Sequence, residues 1–258
     1  MKIYKDYAEY YDLLYADKDY LKEAIFVSKV LSKYSKGKKT ILELGCGTGI
    51  HATELAKNGF DVDGVDFSEV MLSRAKNRFD YLPTELKNKL SFSYGDIRKY
   101  RNNKKYESVV SLFHVTSYMT TNKQLNAMID TANSHLNKNG IYMFDCWYGP
   151  AVLTIRPQKK NKIIENEKIK IVRTAIPEMH PNENIVDVNY DINFIDKNTK
   201  AIKSIKETHS VRYFFMPEII EILKINGFDL IDARELITNK KPGFETWGVC
   251  FIAKKNHD

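Results

Sequence analysis

Residues 40–66 read TILELGCGTGIHATELAKNGFDVDGVD, and the architecture expected of the chain starts from this segment. It holds, in chain order, an apolar run, three alternate glycines, a helical pattern, a second apolar run and an acid: 41–44, then Gly45, Gly47 and Gly49, then 51–58, 60–65 and Asp66. The apolar runs predict buried strands, and Gly59 ends the helical pattern where a left-handed residue is often needed. A strand, glycine loop, helix and second strand, with an acid about twenty residues beyond the first glycine, is the arrangement of a nucleotide-type binding site.

Each part of this segment has a physical role in binding. Glycines allow a tight turn and let a ligand approach the backbone without a Cβ in the way. The helix that follows presents free N–H groups at its N-terminus, and Asp66 at the strand tip is able to accept both hydroxyls of a ribose. A dinucleotide fingerprint requires Gly or Ala where Ile50 stands. The alternative is an ordinary glycine turn in some other α/β protein.

The form E-x-G-x-G-x-G, which begins at Glu43, resembles motif I of the S-adenosylmethionine-dependent methyltransferases of the Rossmann-like class. The resemblance implies S-adenosyl-L-methionine as cofactor and S-adenosyl-L-homocysteine as its product. The cofactor-binding residues expected in this segment are Glu43, Gly45, Cys46, Gly47, Gly49 and Asp66. Cys46 is interpreted as a small space-filling residue and not as a nucleophile.

Composition agrees with one α/β domain that carries an insertion or a small lobe. The chain has 258 residues and a hydrophobic share of 43%, enough for a full core. We expect a cytoplasmic protein without a signal peptide, because no apolar run approaches the roughly 18 residues of a membrane span. The three cysteines, Cys46, Cys146 and Cys250, are far apart and predict reduced thiols. No His/Cys group has zinc-ligand spacing, so no metal site is predicted.

The net charge of +7 raises the question of a nucleic-acid partner. Basic clusters occur at 33–39, 98–105, 156–162 and 240–241, all in expected loops or element ends. A lysine- and asparagine-rich solvated surface is the commoner cause, and a face that attracts phosphate on RNA or on a nucleotide-linked substrate is the alternative. Base-flipping amino-methylases usually carry an Asn/Asp-Pro-Pro-aromatic tetrad where this chain has Ser-Leu-Phe-His at 111–114. This difference disfavours a nucleic-acid substrate.

The N-terminal residues 1–35 are tyrosine-rich and are predicted to form a helical lid. Tyr7, Tyr11, Leu14 and Tyr15 share one face of a short helix, and residues 21–34 form an amphipathic helix. The face either packs on the core or places tyrosine hydroxyls in the site, since tyrosine buries its ring and keeps a polar group available. We expect Tyr11 to contact the cofactor and Tyr15 to act at the acceptor.

Further cofactor contacts are expected where the next strands end. Ser68 is the predicted N-cap of a helix that follows Phe67. Strand 90–94 is followed by Gly-Asp-Ile, and by the resemblance Asp96 meets the adenine amino group, with turn chemistry as the competing role. The predicted residues are Phe67, Met71, Asp96, Ile97 and Leu112, of which Met71 at helical spacing is equally suited to the core.

The fourth strand, 106–113, is nearly continuous in Val and Leu, as a strand buried on both faces should be. Open parallel sheets bind ligands at the carboxyl ends of their strands, which directs attention to His114 and Tyr118. A lone histidine is usually structural, and His114 is here a candidate for substrate contact or proton handling. A helix at 122–136, ended by residues 138–140, leads to strand 141–145, after which Trp147 is placed to wall the acceptor site.

The pattern changes after residue 155. Residues 162–215 give strand signals separated by turns, including one at 177–184, and the alternation at 186–195 has period two. We therefore predict a doubly wound, mostly parallel seven-stranded sheet from 36–155 and 216–258, with an antiparallel β insertion at 156–215 before the last helix. The insertion forms either a roof over the acceptor or a surface for a homodimer. His209 and Arg212 near its end are candidates for substrate contact, or for a solvated face.

Several motifs together narrow the resemblance. The opening Y-D-L-L-Y, motif I, D-F-S-E-x-M-L, G-D-I-R and V-V-S-L-F with S-Y-x-x-T look like the N,N-dimethyltransferases of nucleotide-linked amino sugars, over most of the chain. The resemblance implies Tyr15 near the acceptor amine and Tyr118 in the same pocket. Phe113-His114-Val115 replaces a small, Ser-rich stretch, so O-methylation of a sugar or of another small metabolite, including capsule or natural-product precursors, is the alternative. An RNA acceptor is the less favoured one.

Overall fold

The computed structural model describes residues 10–35, 37 and 39–256. Its helices are α1 Tyr11–Leu14, α2 Tyr20–Tyr34, α3 Ile50–Lys57, α4 Glu69–Asp80, α5 Thr84–Lys87, α6 Asn122–His135, α7 Gly149–Ile155 and α8 Met216–Ile225. Its strands are β1 Thr40–Leu44, β2 Asp61–Asp66, β3 Leu90–Tyr94, β4 Tyr106–Ser111, β5 Leu136–Tyr148, β6 Lys160–Glu165, β7 Ile169–His180, β8 Ile185–Asp196, β9 Ile202–Phe214, β10 Phe228–Glu235 and β11 Gly248–Lys255. Within these ranges, none of the helices has both the length and the apolar character to cross a lipid bilayer.

Seven strands form the central sheet in the order β3-β2-β1-β4-β5-β11-β10. The first five are parallel, and β11 is antiparallel to both of its neighbours. The strand order reverses between β1 and β4, whose carboxyl ends therefore lie side by side at the place where open α/β sheets bind ligands. The predicted sheet is confirmed, including the antiparallel pair at its end.

Helices cover both faces of this sheet and bury its apolar side chains. On β1, Ile41 packs in the cluster that contains Leu31 of α2, whereas Leu42 packs in the cluster that contains Ile129 of α6. Successive strand residues point to opposite faces, which is why an unbroken apolar run suits a strand covered on both sides. All four side chains are fully buried, and each such burial contributes about 1.5–3 kcal/mol. The loops that follow β1 and β4 thus stand on a rigid base.

The insertion predicted at 156–215 follows α7 and consists of the antiparallel strands β6 to β9. It does not form a separate sheet, because the end of β9 pairs in parallel with the end of β5 through Trp147 with Tyr213 and Tyr148 with Phe214. The seven predicted strands and the insertion are therefore one continuous 11-stranded sheet. Fully buried Leu14 of α1 packs among residues of the insertion, so the N-terminal segment and the insertion lie against each other.

Several predicted boundaries are confirmed by the backbone. The Ser68 hydroxyl accepts a hydrogen bond from the Met71 N–H at 3.3 Å and caps α4. Gly59 and Gly227 follow α3 and α8 with φ of 89° and 77°, the left-handed conformation expected there.

Other boundaries were wrong. Residues 138–140 do not end α6: the helix stops at His135, and these residues form a bulge in β5 with Asn139 at φ 62°. Strand β4 ends at Ser111 because Phe113 has left-handed backbone. The turn predicted at 177–184 is shorter, since Pro177 pairs with Val188 within β7 and β8.

Two differences concern helices. Sequence reasoning missed the four-residue α5 and also α7, although Pro150 in the first turn of α7 is a known start signal. The predicted N-terminal lid helix is shorter than expected, four residues in α1. Tyr7, assigned to the same helical face, lies outside the described residues.

Candidate active site

A cavity of about 530 Å³ opens at the carboxyl ends of the central strands. Its walls come from the glycine loop, the loops after β2, β3 and β4, the N-terminal segment and the inner face of the insertion. The structure brings these predicted site residues together in its lining: Tyr11, Tyr15, Gly45, Cys46, Gly47, Asp66, Phe67, Met71, Asp96, Ile97, Leu112, His114, Tyr118, Trp147 and His209. The predicted residues Glu43, Gly49 and Arg212 do not line it.

The glycine loop presents its backbone to the cavity at Gly47. With φ at 54°, Gly47 has left-handed backbone, and a Cβ built on it would meet no described atom within 4 Å. Gly49 differs: its Cβ would lie 2.8 Å from the Phe92 ring, so this glycine lets α3 pack against β3 and does not face a ligand. Gly45 and Cys46 both donate their N–H to the Val65 carbonyl, at 2.8 and 3.1 Å, which fixes the loop on β2.

Two carboxyl groups lie beside this loop. Asp66 accepts hydrogen bonds from the N–H groups of Gly47 and Ser68, both at 2.8 Å, and burial raises its pKa. Glu43 lies behind the loop, fully buried, where burial and then the Asp66 charge raise its pKa to about 8. Its Oε2 has no hydrogen-bond partner among the described residues. A buried carboxyl without a full set of partners is costly when ionised, and the raised pKa of Glu43 keeps it largely neutral behind the loop.

The loops after β2 and β3 form the next part of the wall. Phe67 is half-exposed and its ring lies 5.9 Å from that of Tyr94, while Met71 is buried in the lining. Asp96 is held in a bidentate ion pair with Arg98, at 2.8 Å to Nε and 2.6 Å to the second nitrogen. This hydrogen bond, against the effect of burial, lowers the pKa of Asp96. This wall therefore presents an ionised carboxylate and apolar side chains to the cavity.

The N-terminal segment is fastened over the glycine loop. Asp12 accepts from the Thr48 hydroxyl and from the Arg78 guanidinium of α4, both at 2.7 Å. Tyr15 lies 4.8 Å from Tyr11 between ring centroids and packs edge-on against Phe113 at 5.0 Å. Sequence reasoning missed this ion pair, because Asp12 in the Y-D-L-L-Y opening and Arg78 are 66 residues apart and no motif joins them.

His114 stands at the end of β4 in an unusual conformation. Both Phe113 and His114 have positive φ, 64° and 61°, which is uncommon for residues with a side chain and concentrates at functional sites. Asp145 contacts His114 at two places: its Oδ1 accepts a hydrogen bond from the His114 N–H at 3.0 Å, and its Oδ2 lies 2.8 Å from Nδ1, at an angle that does not make a hydrogen bond. Although burial opposes ionisation, the imidazole holds the pKa of Asp145 below its ordinary value. The arrangement is an ionised carboxylate behind an imidazole that faces the cavity.

The far wall of the cavity is aromatic and comes largely from the insertion. Trp147 packs edge-on against Trp247 at 5.8 Å between ring centroids. Tyr190 and His209 project from neighbouring strands β8 and β9, and the Tyr118 hydroxyl lies 2.9 Å from Nδ1 of His209. Sequence reasoning missed Tyr190 and Trp247, whose only signal was an aromatic side chain in a strand or loop of uncertain position.

Arg212 is the predicted substrate-binding residue that the structure places elsewhere. It is buried, forms an ion pair with Glu218 of α8 and lies over the Phe214 ring at 4.9 Å. On β9 it is three residues from His209, and an odd spacing puts the two side chains on opposite faces of the strand. The contact predicted from the sequence is replaced by a structural ion pair.

The fold and the site together define a class of protein. A reversed strand order, a glycine loop after β1 and a carboxylate at the tip of β2 form a Rossmann-like nucleotide-binding site. Residues 41–140 match the family model described as a methyltransferase domain. The chain carries a methyltransferase domain and has the fold of the S-adenosylmethionine-dependent methyltransferases, as the resemblance implied. S-adenosylmethionine is the cofactor of that class.

Individual relatives agree with this class. The chain is 31% identical over 147 residues to a dTDP-3-amino-3,4,6-trideoxy-alpha-D-glucopyranose N,N-dimethyltransferase of Streptomyces venezuelae, a match covering 56% of this chain and 59% of that protein. It is 27% identical over 255 residues to the putative methyltransferase YqeM of Bacillus subtilis, a match that covers 98% of this chain and 98% of that protein. The fold is similar, with a TM-score of 0.80, to an S-adenosylmethionine-dependent methyltransferase of Clostridium acetobutylicum at 22% identity, over 98% of this chain and 99% of that one.

Proposed function

We propose that this protein transfers a methyl group from S-adenosylmethionine to the amino group of a nucleotide-linked sugar. The observation that carries the proposal is one continuous cavity that joins the glycine loop and Asp66 to the aromatic acceptor wall around Tyr118 and Trp147. The Streptomyces venezuelae relative named above acts on a dTDP-linked amino sugar, which supports this class of acceptor.

The residues present fit the cofactor. Gly47 leaves open space over its backbone, Asp66 retains lone pairs beyond its two hydrogen bonds, and the volume is within the range of small-molecule sites. The glycine loop and Asp66 would hold the nucleoside, with Phe67, Met71 and Asp96 around the base. When bound, S-adenosylmethionine supplies a methyl group already activated by a positively charged sulfur.

The chain's own contribution is mainly alignment. Orientation of reactants lowers barriers by roughly 7–11 kcal/mol in favourable cases. We assign Tyr15 and Tyr118 to the acceptor amine, because both hydroxyl-bearing side chains line the cavity, one on the N-terminal segment and one after β4. The insertion is assigned the role of an acceptor roof, since Val188, Tyr190 and His209 face the same cavity.

An O-methyltransferase is the second candidate, and the pair His114–Asp145 favours it. A neutral amine needs little help from a base, whereas a hydroxyl needs a proton acceptor, usually worth about 10²–10⁴-fold in rate. An imidazole 2.8 Å from an ionised carboxylate has the composition of such a base. For an oxygen acceptor, His114→Gln should remove most turnover; for a nitrogen acceptor, Tyr15→Phe should cost more than His114→Gln.

The decisive experiment incubates the protein with S-adenosylmethionine carrying an isotope-labelled methyl group and a panel of acceptors. The panel holds dTDP-linked amino sugars, the matching hydroxylated sugars and free small amines. Transfer to an amino sugar, with product mass raised by one or two methyl groups, is the expected result. Transfer only to hydroxylated sugars would support the second candidate. Binding of S-adenosylhomocysteine by calorimetry without transfer to any member would overturn the choice of acceptor.

A further inference from the structure

We infer that Glu207, His209 and Tyr118 form a proton-removal chain on the acceptor side of the cavity, with the Tyr118 hydroxyl next to the substrate. This inference rests on the amine methylation proposed above. Tyr118 would be the catalytic residue, His209 the group that takes its proton, and Glu207 a positioning residue. Glu207 carries no motif.

The three side chains are linked by two short contacts. The Tyr118 hydroxyl lies 2.9 Å from Nδ1 of His209, and Nε2 of His209 lies 3.1 Å from Oε2 of Glu207. Glu207 and His209 are two residues apart on β9 and therefore project from the same face of the strand. Tyr118 comes from the 3-10 turn after β4, so the proton-removal chain joins the Rossmann-like part of the protein to the insertion.

The imidazole in the middle is held in place. The His209 side chain is 5% exposed, and the rings of Tyr190 and Tyr118 pack against it at 5.0 and 5.9 Å between centroids. The Glu207 side chain is 14% exposed. The Glu207 end of the proton-removal chain is therefore in contact with water and is able to release protons to it, while Tyr118 lies in the cavity wall.

The carboxylate fixes the tautomer of the histidine. Ionised Glu207 only accepts hydrogen bonds, so the facing Nε2 of His209 carries the proton and donates it. Nδ1 then holds a lone pair and accepts the hydrogen bond of the Tyr118 hydroxyl. The chain thus has one orientation, in which the Tyr118 oxygen is able to receive a proton from the cavity while giving its own to Nδ1.

An amino acceptor provides the proton that this chain removes. A primary aliphatic amine is mostly protonated near neutral pH and has no lone pair for attack. One N–H bond breaks and its electron pair stays on nitrogen; the proton moves to the Tyr118 oxygen as the Tyr118 proton moves to Nδ1 of His209. The imidazolium is stabilised by Glu207 until a proton leaves to water. After one methyl transfer the nitrogen again carries an extra proton, so a second methylation needs the same step.

A matched control lies in the same insertion. His180 and Asp187, on β7 and β8, form a second imidazole–carboxylate pair with the same 3.1 Å separation between Nε2 and a carboxylate oxygen. Neither residue lines the cavity. Asp187→Asn therefore makes the matching carboxylate-to-amide change at a pair with the same separation, away from the cavity, and should leave methyl transfer unchanged.

The first test measures the histidine without any acceptor. The protein has six histidines, so nitrogen-15 NMR of labelled imidazoles is tractable. His209, assigned by the loss of its signals in His209→Gln, should carry its proton on Nε2. Tyr118→Phe, which keeps the ring, should shift the Nδ1 signal, and Glu207→Gln should alter the tautomer. Asp187→Asn should change His180 alone. Unchanged His209 signals in both Tyr118→Phe and Glu207→Gln would overturn the inference.

The second test measures single-turnover methyl transfer. Tyr118→Phe should lower the rate by at least about 10²-fold, and Glu207→Gln by at least about 10-fold, with unchanged KM and unchanged affinity for S-adenosylhomocysteine. Glu207→Asp, which keeps the charge, should retain more of the rate than Glu207→Gln. Wild-type rates in Tyr118→Phe and Glu207→Gln would overturn the proton chain and leave the proposed function intact. If wild type methylates no acceptor of the panel, the proposed function fails and the NMR result decides on the chain.

Discussion

The same substitution to alanine should have different effects at two glycines of the loop after β1: it should lower cofactor affinity at Gly47 and stability at Gly49. An alanine at either position must adopt left-handed backbone, which costs about 1–2 kcal/mol of stability. The Cβ of Gly47→Ala enters open space over the loop, whereas the Cβ of Gly49→Ala would lie 2.8 Å from the Phe92 ring and add about 1–3 kcal/mol of crowding. We therefore expect Gly49→Ala to be the less stable variant and Gly47→Ala to be the one that binds cofactor poorly.

Melting temperature and calorimetric affinity for S-adenosylhomocysteine separate the two effects. For a domain of this size, each kcal/mol lowers Tm by about 2–4 °C, so Gly49→Ala should melt several degrees below Gly47→Ala. Gly47→Ala should lose at least about tenfold in affinity, equivalent to about 1.4 kcal/mol, because the new methyl group occupies ligand space. Folded Gly49→Ala should bind within a few-fold of wild type. Wild-type affinity in Gly47→Ala would refute the assignment of this loop as the cofactor cradle.

Three further results are expected. Burial raises the pKa of Glu43 from an ordinary 4.5 to about 8, so its contribution to the free energy of unfolding is fully present below pH 4.5 and is lost as the pH rises from 4.5 to about 8. Glu43→Gln should make Tm less dependent on pH in that window and raise Tm at pH 9; a wild-type-like pH profile of Tm would contradict this. Asp12→Ala removes the two hydrogen bonds that Asp12 accepts from Thr48 and Arg78. Limited proteolysis should then cut the N-terminal segment faster, and affinity for S-adenosylhomocysteine should fall several-fold. Cleavage at the wild-type rate would count against a fastened lid. Arg212→Leu removes the buried ion-pair partner of Glu218, so it should lower Tm and leave the KM for the acceptor unchanged. A raised KM with a wild-type Tm would instead support the substrate contact that the sequence predicted for Arg212.

The nucleotide-binding half of the molecule was predictable because its determinants are local. Strand β1, the glycine loop, α3 and Asp66 follow one another within 27 residues, and each has a residue type that its backbone or burial requires. Ser68 could be predicted as a cap for the same reason, since the capped N–H is only three residues away.

The acceptor half depended on contacts between distant segments. The pairing of β5 with β9 joins Trp147 to Tyr213, and no spacing within either strand indicates it. Arg212 was misplaced because the period-two alternation gives two faces without saying which one meets the cavity. His114 and Asp145 are 31 residues apart, and their proximity follows only once β4 and β5 are known to be neighbours.

The narrow attachment between β5 and β9 also bears on how such a protein diversifies. Among the described residues, strand pairing joins the insertion to the central sheet through two residue pairs, and one of them includes Trp147, which lines the cavity. Replacement of side chains on the inner face of β8 and β9 would change one wall of the cavity while the glycine loop stayed untouched. Selection for a new substrate is thus able to act on one lobe without disturbing the machinery common to the class.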